Sequence, residues 1–173
     1  MGENIFLIAV IVCIICNIIR FFYEILKDKK IIQANQFTLV IIFTNMALLW
    51  VSWGVLCFND MHRIALPGMI RYVGISLVGI GLVAFLMALF IMKTFESYEG
   101  DLITKGIFSI TRHPMYVGFI LWLIGLPVFF GALYAFILAF VFIANVLYWR
   151  YLEEKELVER FPSYMDYKQT TLF

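Results

Sequence analysis

Charge is what this sequence has least of: Asp, Glu, Lys and Arg make up 14% of its 173 residues, against about a quarter in an ordinary soluble domain. Hydrophobic residues make up 64%, which excludes a water-soluble core. A net charge of +1 without a basic patch excludes nucleic acid as a partner, because nothing stands ready to release phosphate counterions. Cysteine is scarce too, and Cys13, Cys16 and Cys57 all fall inside apolar runs, where a thiol behaves as a small hydrophobe and no disulfide framework is implied. Cys13 and Cys16 form a C-x-x-C, but a redox pair needs polar, thiolate-stabilising surroundings that a lipid-facing helix does not offer.

What is abundant is long apolar runs. Crossing about 30 Å of hydrocarbon takes roughly 20 helical residues, and three runs of that size come first, from about Ile5 to Leu26, Phe37 to Phe58 and Ile70 to Met92. The basic cluster Lys27, Lys29 and Lys30 follows the first run, and no small-x-small cleavage site comes after it. That order predicts a retained span and not a secretory leader. Arg20 and Glu24 sit four apart, which predicts a partly neutralised pair at the membrane surface. Trp50, Trp53 and Tyr72 are expected in an interfacial belt. Gly74, Gly79 and Gly81 permit close approach of another helix or a ligand.

Composition then changes, and the stretch 93–113 reads as a polar interfacial loop. Pro114 opens a short fourth helix, expected to end near Pro127, and Gly131 starts a fifth apolar run that reaches Trp149 and Tyr151. A tight helical hairpin is implied, followed by a charged amphipathic helix leaving the membrane. The prediction is an all-α integral membrane bundle of about five spans forming a single domain, 1–173, with three N-terminal spans in 1–92 and a ligand-binding portion in 93–173. Lys27, Lys29, Lys30, Lys93, Lys105, Arg112, Arg150, Lys155, Arg160 and Lys168 fall on one side of such a bundle, and Arg63 and Arg71 on the other. The positive-inside rule places the N-terminus outside, and the C-terminus and the 93–113 loop in the cytosol.

Two strings carry chemistry. In Arg112-His113-Pro114-Met115-Tyr116, the free N–H groups of a helix start, the helix dipole and Arg112 converge on one spot, which favours a carboxylate or phosphate. Tyr116 adds an aromatic face for a cation and a hydroxyl for a polar group. A zwitterion bearing a sulfonium suits that spot, and a simple helix cap is the alternative. In the second string, Glu153 and Glu154 stand where a helix C-terminus opposes negative charge, which argues for a functional role. Their carboxylates can accept from ribose hydroxyls or hold an ammonium, while Arg150 can orient an anionic acceptor.

With its hairpin and the run Glu-Glu-x-x-Leu-x-x-x-Phe followed by Tyr164 and Tyr167, the segment Gly100 to Leu172 resembles the isoprenylcysteine carboxyl methyltransferase and phospholipid methyltransferase superfamily. The resemblance implies an S-adenosyl-L-methionine pocket built by Gly100, Asp101, Leu102, Ile103, Phe108, Arg112, His113, Pro114, Met115, Tyr116, Glu153 and Glu154. The phospholipid branch adds Gly79 and Gly81. It further implies a lipid-like substrate entering from the bilayer and a cofactor entering from the cytosol, with membrane lipids as partners and no metal. Trp149 stands where the isoprenylcysteine enzymes carry a substrate-contacting arginine, and Arg150 comes one step later, a turn of about 100° on a helix. That offset, with Gly100 where those enzymes carry a histidine, weighs against an isoprenylcysteine substrate, and Phe108 in place of a common tyrosine removes one polar contact from the implied pocket.

The leading expectation is methyl transfer from S-adenosylmethionine to a hydrophobic acceptor. His113 or a glutamate is the candidate base where the acceptor is an amine or a thiol. The competing expectations are an NADPH-dependent enzyme like the sterol reductases, and a non-catalytic membrane scaffold.

Overall fold

The computed structural model describes residues 2–33, 35–92 and 101–173. Four helices are long and apolar enough to cross a bilayer: α1 (Gly2–Asp28), α2 (Gln36–Phe58), α3 (Gly68–Met92) and α5 (Leu133–Arg160). The apolar helix α4 (Pro114–Phe130) has 17 residues, about 26 Å at 1.5 Å per residue. A seven-residue α6 (Tyr164–Thr170) follows. No strand occurs among the described residues, so the bundle is all-α, as its composition predicts. Part of the expected 93–113 loop, residues 93–100, lies outside the described residues; the rest includes a 3-10 turn at Gly106–Ser109.

Several boundaries differ from expectation, each for a local reason. Proline removes one intrahelical donor, but at position 127 it does so in the last turn of α4, and the helix runs on to Phe130. Gly131 caps α4 and does not start α5: its φ of +68° is the left-handed conformation that closes helices. Ala132 N–H then donates to Pro127 O at 2.9 Å. The fifth span and the charged helix are one continuous element, because Glu153 to Arg160 are mostly good helix formers. Glu153 and Glu154 therefore lie two turns inside a helix, and the expected conflict with a helix C-terminus does not arise.

Helices α3 and α4 run antiparallel with their backbones in contact. A Cβ placed on Gly74 would lie 2.6 Å from Phe129 N, and one on Gly118 would lie 2.7 Å from Gly81 O. Gly125 meets Gly74 O in the same way at 2.6 Å, so no side chain separates the two helices along this seam. Gly79 takes no part and faces outward.

Polar side chains tie α1, α2 and α5 together at mid-depth. Asn45 Nδ2 donates to Cys16 O at 3.1 Å, and Asn145 Nδ2 donates to Asn17 Oδ1 at 3.2 Å. Around them pack Cys13, Cys16, Leu56, Cys57, Ala139 and Phe142, all buried, with the cysteines free. Trp53 belongs to this core at 1% exposure, and Trp50 packs against Phe85 and Phe119, so neither tryptophan serves the expected interfacial belt. Tyr72 is exposed.

One end of the bundle is closed by its turns. Gly131 O accepts from Ile64 N–H at 2.8 Å, and His62 O accepts from Leu133 N–H at 2.9 Å. The buried Asp60 caps α5 from another segment, accepting from Ala135 N–H at 2.8 Å. Arg63 donates to Phe130 O at 3.2 Å and also to Phe58 O, and Arg71 donates to Phe129 O at 3.1 Å. These cations sit on helix C-terminal carbonyls, where the dipole favours positive charge.

Candidate active site

The opposite end is hollow. The C-terminal ends of α1, α3 and α5 and the N-terminal ends of α2 and α4 surround a cavity of about 760 Å³, inside the range of roughly 300–1,000 Å³ usual for small-molecule sites. The α2 wall is apolar, with Ile42, Phe43, Met46 and Trp50. The other walls are polar and aromatic, with His113, Tyr116, Trp149 and Glu153. Beneath lies a small apolar hollow of about 20 Å³, floored by tryptophans from α2, α4 and α5.

His113 comes to this cavity because Pro114 starts α4 beside it, which leaves His113 as the N-cap with non-helical φ and ψ. Its ring is 3% exposed and lies between two carboxylates of α5. Nδ1 is 3.7 Å from Glu153 Oε2, and Nε2 is 3.4 Å from Glu154 Oε1. Tyr116, half-buried, has its ring centroid 5.6 Å from that of His113 and lines the cavity together with Glu153. The two chemical strings of the sequence thus meet in one cavity wall.

The two glutamates have different surroundings. Glu153 has a side chain 38% exposed and lines the cavity. Glu154 is buried and faces away from it, where it gathers cations: Arg112 Nε at 3.3 Å, Lys168 Nζ at 2.7 Å and Arg150 Nε at 3.7 Å. Arg112 is further engaged by the C-terminal segment, donating to Thr171 O at 2.7 Å and Lys168 O at 3.1 Å. Arg112 lines the cavity, and its guanidinium is shared among these protein acceptors. Arg150 stacks over Phe173 at 4.4 Å, while Trp149 lies in the cavity wall, so the one-residue offset between them separates two sides of α5.

Phe108, Pro114 and Met115 line the cavity as well. Asp101, Leu102 and Ile103 are not among its lining residues, nor are Gly79 and Gly81, and Gly100 lies outside the described residues. Gly81 packs on Gly118 instead.

The C-terminal segment braces this end from below. Leu172 N–H donates to Ile110 O at 2.9 Å, Arg112 N–H donates to Leu172 O at 3.2 Å, and Tyr167 OH donates to Phe108 O. Tyr164, 1% exposed, places its hydroxyl 3.5 Å from His113 Nε2. Burial and the nearby Glu154 carboxylate push the Tyr164 phenol well above its ordinary range, so it keeps its proton.

Sequence reasoning missed the contribution of α1. Arg20 and Glu24 do not reach out to the membrane surface but are buried in the cavity wall, Nη2 to Oε1 at 2.5 Å. Two charges inside an apolar span were the available signal. The α2 wall offered none, because a uniformly apolar helix does not say which face it turns inward.

The family model described as phospholipid methyltransferase matches residues 69–163. The chain belongs to the phospholipid methyltransferase family. No curated protein matches it, and no solved structure does. The family is one of methyltransferases, and the long apolar helices make this chain a multi-pass membrane member of it. The family segment begins at the start of α3, earlier than the resemblance drawn from Gly100 onward, so the α3–α4 glycine seam lies inside it. It ends before α6, and both α1 and α2 lie outside it.

Proposed function

We propose that the cavity binds S-adenosylmethionine beside a hydrophobic, lipid-like acceptor, and that the protein transfers the methyl group between them. The observation that carries this reading is that His113 and Glu153, from the two separate strings of the family segment, approach to 3.7 Å in one wall of a 760 Å³ cavity.

The residues present fit the cofactor. Glu153 offers a half-exposed carboxylate to hydroxyl or ammonium groups. Phe108, Met115 and Tyr116 offer apolar and aromatic surface. When bound, S-adenosylmethionine supplies a methyl group already activated on a sulfonium.

The work left to the chain is alignment and exclusion of water. The buried His113, fixed between Glu153 and Glu154, sets the polar wall. The α2 wall gives an acceptor's apolar portion a place to lie. For an amine or thiol acceptor, the His113–Glu153 pair receives the released proton; a carboxylate acceptor needs no base at neutral pH. The cavity end faces the cytosol in this reading, supported by the gathering of Lys27, Lys30, Arg112, Lys155, Arg160 and Lys168 at that end.

Calorimetric titration of the detergent-solubilised protein with S-adenosylhomocysteine tests the proposal. Wild type is expected to bind, and Glu153→Gln to weaken binding by about tenfold or more, as loss of a charge-assisted hydrogen bond does, with an unchanged unfolding midpoint. A folded wild type that takes up no S-adenosylhomocysteine would overturn it.

A further inference from the structure

His113 shows different partners to its two ring nitrogens. Nδ1 meets Glu153 Oε2 at 3.7 Å, and that side chain is 38% exposed and lines the cavity. Nε2 meets two buried groups, Glu154 Oε1 at 3.4 Å and the Tyr164 hydroxyl at 3.5 Å. Glu154 is not among the residues that line the cavity. Around it also stand Lys168 Nζ at 2.7 Å, Arg112 Nε at 3.3 Å and Arg150 Nε at 3.7 Å. Among these cations it meets the ring as a carboxylate, which accepts hydrogen bonds and donates none.

We infer that Glu154 is a positioning residue: it holds a proton on His113 Nε2 and so leaves the Nδ1 lone pair, beside Glu153, as the proton acceptor of the cavity wall. A neutral imidazole has one N–H and one lone pair to distribute, and here either nitrogen would donate to a carboxylate. Closeness and burial decide between them. Glu154 is nearer, and its side chain is 9% exposed, so its field is felt through a low dielectric, whereas water screens Glu153. The Tyr164 hydroxyl can accept from a protonated Nε2 or donate to a bare one, so it takes no side. Reach points the same way, because Nε2 is enclosed by Glu154 and Tyr164 while the partner of Nδ1 borders the cavity. Nδ1 and Glu153 are then two acceptors that one arriving proton satisfies together.

This deepens the methyl-transfer reading and rests on it for the source of the proton. As an amine or thiol acceptor takes the methyl group, its lone pair bonds to the methyl carbon and the C–S bonding pair returns to sulfur. The N–H or S–H proton of the acceptor goes to Nδ1, and the part-exposed Glu153 passes it on to water. Glu154 acts only through His113 in this scheme. The sequence resemblance groups it with Glu153 as a cofactor contact, whereas its place behind the ring gives it a separate task.

The test reads the proton directly. The parent protein carries isotopically labelled histidine and His62→Gln, which leaves His113 as its one histidine. Nitrogen–proton correlation spectra are recorded in detergent as the pH is raised until the ring is neutral. The neutral ring is expected to carry its proton on Nε2, with Nδ1 bare. Glu154→Gln, which keeps the shape and removes the charge, is expected to move the ratio of the two neutral forms toward Nδ1–H by about tenfold or more. Tyr164→Phe is expected to keep the ratio within about twofold of the parent. A role in packing alone would not move this ratio.

A neutral parent ring with its proton on Nδ1 overturns the inference. So does a ring doubly protonated at every pH at which the protein stays folded, because it has no lone pair to offer. A folded Glu154→Gln whose ratio stays within about twofold of the parent overturns it as well. If Glu154→Gln does not fold, the parent spectrum and Tyr164→Phe decide, since a proton that moves when the hydroxyl is removed would make Tyr164 the positioning group. An Nε2–H ring in a protein that takes up no S-adenosylhomocysteine sinks the methyl-transfer reading and supports this placement of the proton.

Discussion

The two ends of the bundle employ similar side chains for different purposes. At the turn end, Arg63 and Arg71 lie on helix C-terminal carbonyls and Asp60 lies on a helix N-terminal amide, so charge is consumed by backbone. At the cavity end, charge meets charge: Arg20 with Glu24, Glu154 with Arg112 and Lys168, and Asp28 with Lys155. Backbone partners close a turn once and permanently. Side-chain partners can be exchanged for a ligand's groups, and the hollow lies among them. The difference teaches that counting ionisable residues in a membrane protein says little until their partners are known.

The sharpest way to break this comparison is at Glu154. Replacing it by leucine leaves the buried Arg112 without its carboxylate and loosens the C-terminal segment under His113. Removing one partner of such a network is expected to destabilise the protein by about 3–5 kcal/mol, read as a lower unfolding midpoint in detergent. A midpoint equal to wild type would mean that the cluster does not hold the cavity floor.

A smaller effect is expected at the other end. Asp60→Ala removes the acceptor for the amides of Ala135 and His62 and should cost about 1–3 kcal/mol. Because the turn end lies at the far side of the bundle from the cavity, S-adenosylhomocysteine affinity should not change. A parallel loss of affinity would show that the two ends are coupled.

The smallest effect is expected at the rim. Asp28→Asn breaks the pair with Lys155, whose side chain is 49% exposed. Exposed pairs contribute little and are screened by salt, so no measurable change in unfolding midpoint is expected at 0.15 M salt. A clear drop would place the α1–α5 rim among the elements that hold the cavity together.

Much of this arrangement was legible beforehand. Apolar run length gave the spans, Pro114 gave the start of α4, and the order of Arg112-His113-Pro114 and Glu153-Glu154 gave the family, though over Gly100 to Leu172 where the family model matches 69–163. What was not legible depends on facing. Glu153 and Glu154 are neighbours in sequence and of one charge, yet the 100° turn between them sends one to the cavity and the other to a cluster of cations. Arg20 and Glu24 read equally well as a surface pair or a cavity pair, and only the position of α5 beside α1 decides. Trp53 shows the same limit, since a tryptophan near a span end is amphipathic enough for either the interface or the core.

The seam between α3 and α4 bears on how the cavity wall is held. Glycine backbones in direct contact have no rotamers to adjust, so these two helices must travel as one stiff slab. The α1–α2 hairpin meets the rest through side chains instead: the Asn17–Asn145 pair, the apolar core packed around it and the Asp28–Lys155 pair at the rim. The family segment thus contains a pair of helices joined backbone to backbone, while α1 and α2, outside it, are joined by side chains.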